Sequence, residues 1–350
     1  MAGCLPRHFD WKRFWVPSGE RVRLDGGYLA DPDSEFGHLF NPKAVPLSEL
    51  AGHQCLVLLG EPGMGKTTAM EDGRAGIRQG VTSAGEALLW PNLRICGGDT
   101  ALDKYLFDTE EFQSWVTGGR VLNLFLDGLD ECVARIEVFV PLLLAKLGSG
   151  DPARLRLRIA CRTSEWPRSL HDGLAKVYDK QLRLYEIAPL CKKDVVSAAG
   201  SLGLDVERFL DELRQYEAVP FAIKPVTLNM LLTMFQRSQH LPSDLADLYR
   251  KGCEILCEEC DTARIERSNT PGLSARQRVH LARRIAATMA FCQRTSIVRK
   301  AVPNIPEETD LTFDEILGDA RRDKADHPHP PSIPQPPSHT MDAARPWPGR

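Results

Sequence analysis

Five short apolar runs mark the middle of the chain: CLVLL (55–59), ALLWPNLRI (87–95), VLNLFL (121–126), LRLRIAC (155–161) and LRLYEI (182–187). Near-continuous runs of this length are expected of parallel strands buried on both faces. Helix-like stretches separate them, which predicts right-handed crossovers and a doubly wound sheet. The second run contains Pro91 and therefore suits only an edge strand or a bulge. After Pro189 the strand pattern stops. Residues 191–293 read as helices, with DVERFLDELRQY, PVTLNMLLTMFQ and LADLYRKGCEILCEEC carrying apolar residues at helical spacing. The predicted fold class is α/β, a doubly wound parallel sheet followed by an α-helical domain.

The two ends differ from this middle. Residues 1–50 read as irregular, and WKRFW (Trp11–Trp15) mixes basic and aromatic side chains. Such a mixture can stack on nucleic acid, but an arm packing its aromatics onto the following domain is the expected reading. From His327 the chain is rich in proline without apolar periodicity, and the sequence predicts a disordered tail. The expected organisation is an aromatic arm (1–45), an α/β domain (46–190), a helical domain (191–272), a further segment (273–320) and the tail (321–350).

Composition narrows the function classes. The 350 residues are 43% hydrophobic and 26% charged, with a formal net charge of −3. These values fit a soluble globular protein and favour neither nucleic-acid nor membrane surfaces as partners. The N-terminal stretch has no apolar core of a secretory signal, and no run approaches the ~20 residues of a membrane span. The 10 cysteines are scattered, some in strand-like runs (Cys55, Cys161), as expected of buried free thiols in a reducing compartment such as the cytoplasm. Cys253, Cys257 and Cys260 lack a second Cys-x-x-Cys pair, so core thiols are expected there in place of a zinc site. Arg154, Arg156 and Arg158 alternate along one strand face and are expected at its exposed N-terminal end.

Three segments carry chemistry. GEPGMGKT (Gly60–Thr67) matches G-x-x-x-x-G-K-[ST] in full, directly after a strand-like run and before a helix. Chance gives such a match in about one chain of this length per hundred. Glycines at 60, 63 and 65 let backbone N–H groups converge on phosphates, and the following helix adds its positive end. The expected ligand contacts are Gly60, Glu61, Pro62, Gly63, Met64, Gly65, Lys66, Thr67 and Thr68. Lys66 would neutralise β- and γ-phosphate oxygens and the Thr67 hydroxyl would ligate Mg²⁺. In LFLDGLDE (Leu124–Glu131), Asp127 at a strand end is placed to hold the Mg²⁺ shell. Asp130 and Glu131 follow as candidates to orient or deprotonate the attacking water, with Glu131 preferred. In ACRTSEW, Arg162 can reach a γ-phosphate or be an ordinary surface arginine.

Together these segments resemble the NACHT family of signal-transduction NTPases, relatives of the AAA+ ATPases, over roughly Leu47 to Phe291. GEPGMGKTT looks like the family's Walker A motif, LFLDGLDE its Walker B, and ACRTSEW its sensor-1 segment. VPFAIKPVTLNMLL is similar to its first helical domain, where Pro225 would pack near the base. HFDWKRFW is similar to the leader of bacterial members.

The resemblance implies ATP or ADP with Mg²⁺ as cofactors, a STAND-type switch between a closed ADP form and an ATP form that self-associates, and a protein partner or stimulus. Slow ATP hydrolysis and a role in signalling or anti-phage defence are also implied. The chain departs from the family by having no histidine between His280 and His327, where the winged-helix histidine belongs. It is therefore expected to be short at the C-terminus. Two other classes compete: a nucleotide-bound interaction module without turnover, and a metabolic P-loop kinase, for which no arginine-rich lid segment is seen.

Overall fold

A computed structural model describes residues 9–80, 85–93, 103–131, 136–258, 274–291, 296–298 and 310–312. The chain divides into two compact units, Met1–Leu256 and Cys257–Arg350.

The first unit is organised by a seven-stranded sheet. Its strands are β1 (Phe14–Pro17), β2 (Val45–Pro46), β3 (Cys55–Leu59), β4 (Glu86–Leu89), β5 (Val121–Leu126), β6 (Leu155–Cys161) and β7 (Leu182–Ile187). Their order across the sheet is β2-β1-β7-β3-β6-β5-β4. The pairs from β7 to β4 are all parallel, whereas β1 runs antiparallel to both of its neighbours. Four of the five apolar runs become strands over the stretch expected. The fifth is shortened: β4 stops at Leu89, before Pro91, and occupies the sheet edge where a missing backbone donor is tolerated.

Alternation along the buried strands supplies two apolar layers. Cys55, Val57 and Leu59 of β3 join the cluster containing Leu122, Leu124, Leu157 and Ile159 on one face. Leu56 and Leu58 point the other way, into a cluster with Trp15, Met64, Met70 and Phe125. Helices cover the layers: α1 (Lys66–Gly80), α2 (Glu110–Val116), α3 (Ile136–Leu147) and α4 (Arg168–Tyr178). After β7 come α5 (Lys192–Ser201), α6 (Val206–Gln215), α7 (Pro225–Ser238) and α8 (Leu245–Leu256). Asp205 caps α6 by accepting from the Arg208 N–H at 3.1 Å, and Pro225 opens α7, where its missing N–H costs nothing. Phe209, Leu213, Leu228, Leu231 and Phe235 form the helical core. This is the expected α/β sheet followed by helices.

Three expectations need correction. Residues 1–50 are not simply an irregular arm. Phe14–Pro17 is a sheet strand, with Trp15 opposite Ile187 and Val45, and Trp15 is completely buried. Arg158 does not lie at an exposed strand end. It is 6% exposed, and its guanidinium donates to the carbonyls of Ala51 (2.7 Å), Leu157 (3.0 Å) and Gln54 (3.3 Å). Burial pulls its pKa down to about 10, since water no longer solvates the charge. Arg156 stays exposed and pairs with Glu86 at 2.9 Å. Cys253 is exposed, not a core thiol, whereas Cys55, Cys161 and Cys191 are buried and free. Cys260 lies outside the described residues.

The second unit holds α9 (Ala275–Phe291) and two short strands, β8 (Ser296–Val298) and β9 (Asp310–Thr312), paired in parallel. The proline-rich tail lies outside the described residues. Among those described, no helix is long and apolar enough to cross a membrane, and no three His, Cys, Asp or Glu residues gather as a metal cluster.

The membership of β1 in the sheet has a measurable consequence. Trp15→Ala should destabilise the protein by about 3–5 kcal/mol, the cost of truncating a fully buried tryptophan. Urea unfolding checks it, and a loss below about 1 kcal/mol would show that β1 adds little to the sheet.

Candidate functional site

The C-terminal ends of β3, β6 and β5 lie on one edge of the sheet, as the register Leu59 opposite Cys161 and Leu126 opposite Ile159 requires. Open α/β sheets place ligands at this edge. From these ends leave the glycine-rich loop, Arg162 and Asp127. They surround a cleft of about 500 Å³.

The loop from Gly60 turns into α1 through two left-handed glycines, Gly63 (φ +75°) and Gly65 (φ +89°). A side chain at Gly63 would also strike Val226, since an added Cβ would lie 2.3 Å from Val226 Cγ1. Lys66 folds over the loop, its ammonium donating to the carbonyls of Gly60 and of Glu61 (3.1 Å). Burial lowers the pKa of Lys66 below lysine's usual value, opposed by the attraction of Asp130. At the start of α1 the Thr67 hydroxyl donates to Asp127 Oδ1 at 3.3 Å. A hydroxyl and a carboxylate side by side at the loop are the hard oxygen donors that Mg²⁺ takes, together with phosphate oxygens. The residues present therefore fit that ion.

Asp130, in the short 3₁₀ turn Leu129–Glu131, is only 5% exposed at its side chain. It accepts from the Arg162 backbone N–H at 3.1 Å and from Arg162 Nε at 2.7 Å. This double contact fixes the end of β6 to the segment that follows β5. Neighbouring Cys161 is pushed up to about 12 by burial and by Asp130, so its thiol stays protonated and unreactive.

Of the residues expected from sequence, Pro62, Gly63, Gly65, Lys66, Thr67, Thr68, Asp127, Asp130, Arg162 and Pro225 line the cleft. Gly60 and Glu61 act on it through Lys66. Met64 turns its side chain into the apolar layer beneath, so it offers the cleft only backbone. The side chain of Glu131, the preferred base, lies outside the described residues. Pro225 heads α7, and the next N–H, of Val226, donates to the Gly63 carbonyl at 3.3 Å.

The residues not foreseen are Phe9, Trp11 and Arg13 on the N-terminal side, Ala69 and Asp72 on α1, and Val226 and Asn229 on α7. Phe9 and Trp11 stack at 4.9 Å, and the Trp11 indole N–H donates to the Asp194 carbonyl at 3.2 Å. For Trp11 and Arg13 the signal was the basic and aromatic mixture of WKRFW, which alone does not say where the arm docks.

No protein-family model matches the chain, and no curated protein matches it. Among solved structures, domain III of the Thermotoga maritima replication initiation protein DnaA is similar at 12% identity and a TM-score of 0.37, covering 60% of this chain and 85% of that one. The S. cerevisiae Hsp104–ADP complex is similar at 14% identity and a TM-score of 0.32, covering 67% of this chain and 35% of that one. Both likenesses are low, and neither bears on what this chain binds.

The Asp130–Arg162 contact can be tested apart from any ligand. Arg162→Ala leaves a buried carboxylate with the backbone N–H as its remaining Arg162 donor, and should cost about 1–2 kcal/mol of stability. The exposed half of the guanidinium adds little by itself. Combining it with Asp130→Asn should cost less than the two single changes summed, because both remove one interaction. Full additivity in urea unfolding would show that the two groups do not support each other.

Proposed function

We propose that this chain is a P-loop NTPase that binds ATP or ADP with Mg²⁺ in the cleft and hydrolyses ATP slowly, as a nucleotide-dependent switch of the NACHT type. One observation carries the reading: the loop that begins at Gly60, Lys66, the Thr67–Asp127 pair and Arg162 all converge on one cleft at the C-terminal strand edge. A polyphosphate would receive the loop's N–H groups, the positive end of α1 and the Lys66 ammonium. Thr67 and Asp127 would hold Mg²⁺, which supplies charge neutralisation between the phosphates when bound. Arg162, fixed by Asp130, would face the terminal phosphate. Because Asp130 already accepts twice from Arg162, Glu131 is the carboxylate left to orient water.

The switch role rests on the sequence resemblance, as does a place in bacterial defence or regulation. The same is true of assembly on ATP binding and of an unidentified protein stimulus. A second reading, carried by the sequence alone, is a nucleotide-bound module without turnover.

Lys66→Ala should weaken ATP binding at least tenfold, about 1.4 kcal/mol, by isothermal titration calorimetry. Unchanged affinity would end the assignment of the loop to phosphate.

Turnover separates the two readings. Asp127→Asn should impair Mg²⁺-dependent binding or hydrolysis. Glu131→Gln should spare binding and lower phosphate release by a factor on the order of 10². If the wild-type chain binds ATP yet releases no phosphate, the second reading holds. If Asp130→Asn abolishes turnover and Glu131→Gln does not, Glu131 is not the base.

A further inference from the structure

Two residues that line the cleft each carry a buried side-chain atom without a hydrogen-bond partner: Arg13 Nη1 and Asn229 Oδ1. They come from separate elements, Arg13 immediately before β1 and Asn229 from the second turn of α7. Arg13 is not loose. Its Nη2 donates to the Ala188 carbonyl at 2.6 Å, which fixes the plane of the guanidinium. The free Nη1 then faces the glycine-rich loop: a Cβ placed on Gly65 would lie 3.7 Å from Nη1 and 3.7 Å from Pro225 Cγ.

Keeping this group there is costly. Burial lowers its pKa to about 10 even though Asp194 attracts the charge. Buried donors without acceptors are rare in folded proteins, and one on a residue that lines a cleft calls for an acceptor on a ligand. The surroundings say which part of a ligand. Lys66, Thr67, Asp127, Asp130 and Arg162 give the cleft a charged end suited to phosphates. Phe9, Trp11, Pro225 and Val226 add aromatic and apolar lining, suited to a flat ring. Arg13 and Asn229 belong to the same elements as this second group.

Building on the nucleotide reading above, we propose that Arg13 and Asn229 read the purine base. Arg13 Nη1 donates to the ring nitrogen next to the 6-amino group, N1 or N7, and Asn229 Oδ1 accepts from that amino group. An adenine edge carries this pairing of acceptor and donor. The N7 edge of guanine carries two acceptors and would set O6 against Asn229 Oδ1. Arg13 and Asn229 are thus specificity-determining residues, with the arm supplying the donor and α7 the acceptor. A nucleotide so held ties the N-terminal arm, the sheet and the helices to one ligand.

The test uses the full-length wild-type chain and calorimetric titration with ATP, 1-deaza-ATP, 3-deaza-ATP and 7-deaza-ATP. Either the 1-deaza or the 7-deaza analogue should bind at least tenfold more weakly than ATP, the loss expected of one hydrogen bond from a charged donor. The 3-deaza analogue should bind like ATP. Equal affinity for all four would overturn the inference while leaving the nucleotide reading intact. So would a loss confined to the 3-deaza analogue. No ATP binding at all would overturn both.

The variant Arg13→Met supplies a second arm, with circular dichroism to verify its fold. It should weaken ATP more than inorganic tripolyphosphate, and it should erase the penalty of the sensitive analogue. Equal weakening of ATP and tripolyphosphate would place Arg13 on the phosphates and overturn the base assignment.

Discussion

The close approach of Val226 to Gly63 is the contact on which the site depends. The Val226 N–H reaches the Gly63 carbonyl at 3.3 Å, and the space between them admits no side chain on residue 63. That contact seats the first turn of α7 directly on the glycine-rich loop. It carries Pro225 and Asn229 to the wall of the cleft, and it holds the loop at the N-terminus of α1. Without it, the sheet edge and the helical layer would be neighbours with no shared site.

Electrostatics then divide the cleft. Lys66 is held by two loop carbonyls, a weaker partnership than phosphate oxygens would give it. Arg162 is held by a nearly buried Asp130, which keeps a cation at the strand end. Thr67 and Asp127 face each other between them. On the proposed reading, a ligand that engages these groups together with the arm and α7 favours whichever arrangement presents all of them at once. Only such differential contact lets a nucleotide bias a conformational equilibrium.

Much of this was legible in the chain. The runs at 55–59, 121–126, 155–161 and 182–187 became strands because buried parallel strands need continuous apolar sequence, and nothing else in the chain competes for that pattern. The loop and Asp127 were legible because motif spacing fixes local geometry. What escaped depends on distant partners. Phe14–Pro17 is four residues long, follows a basic pair and becomes a strand only because β7 and β2 offer it antiparallel ladders. Arg158 looks like an exposed residue by alternation, and its burial is offset by carbonyls of Ala51 and Gln54, a hundred residues away. Arg13 and Asn229 belong to no motif, and their unpartnered atoms appear only once the arm, the loop and α7 meet.

The most direct test of the account is hydrogen–deuterium exchange on the intact chain, with and without Mg²⁺-ATP. The account predicts that nucleotide slows exchange together at residues 60–69, at 127–130, around Arg162, at 11–13 and at 225–229. Protection confined to other segments, or none at the glycine-rich loop, would contradict it.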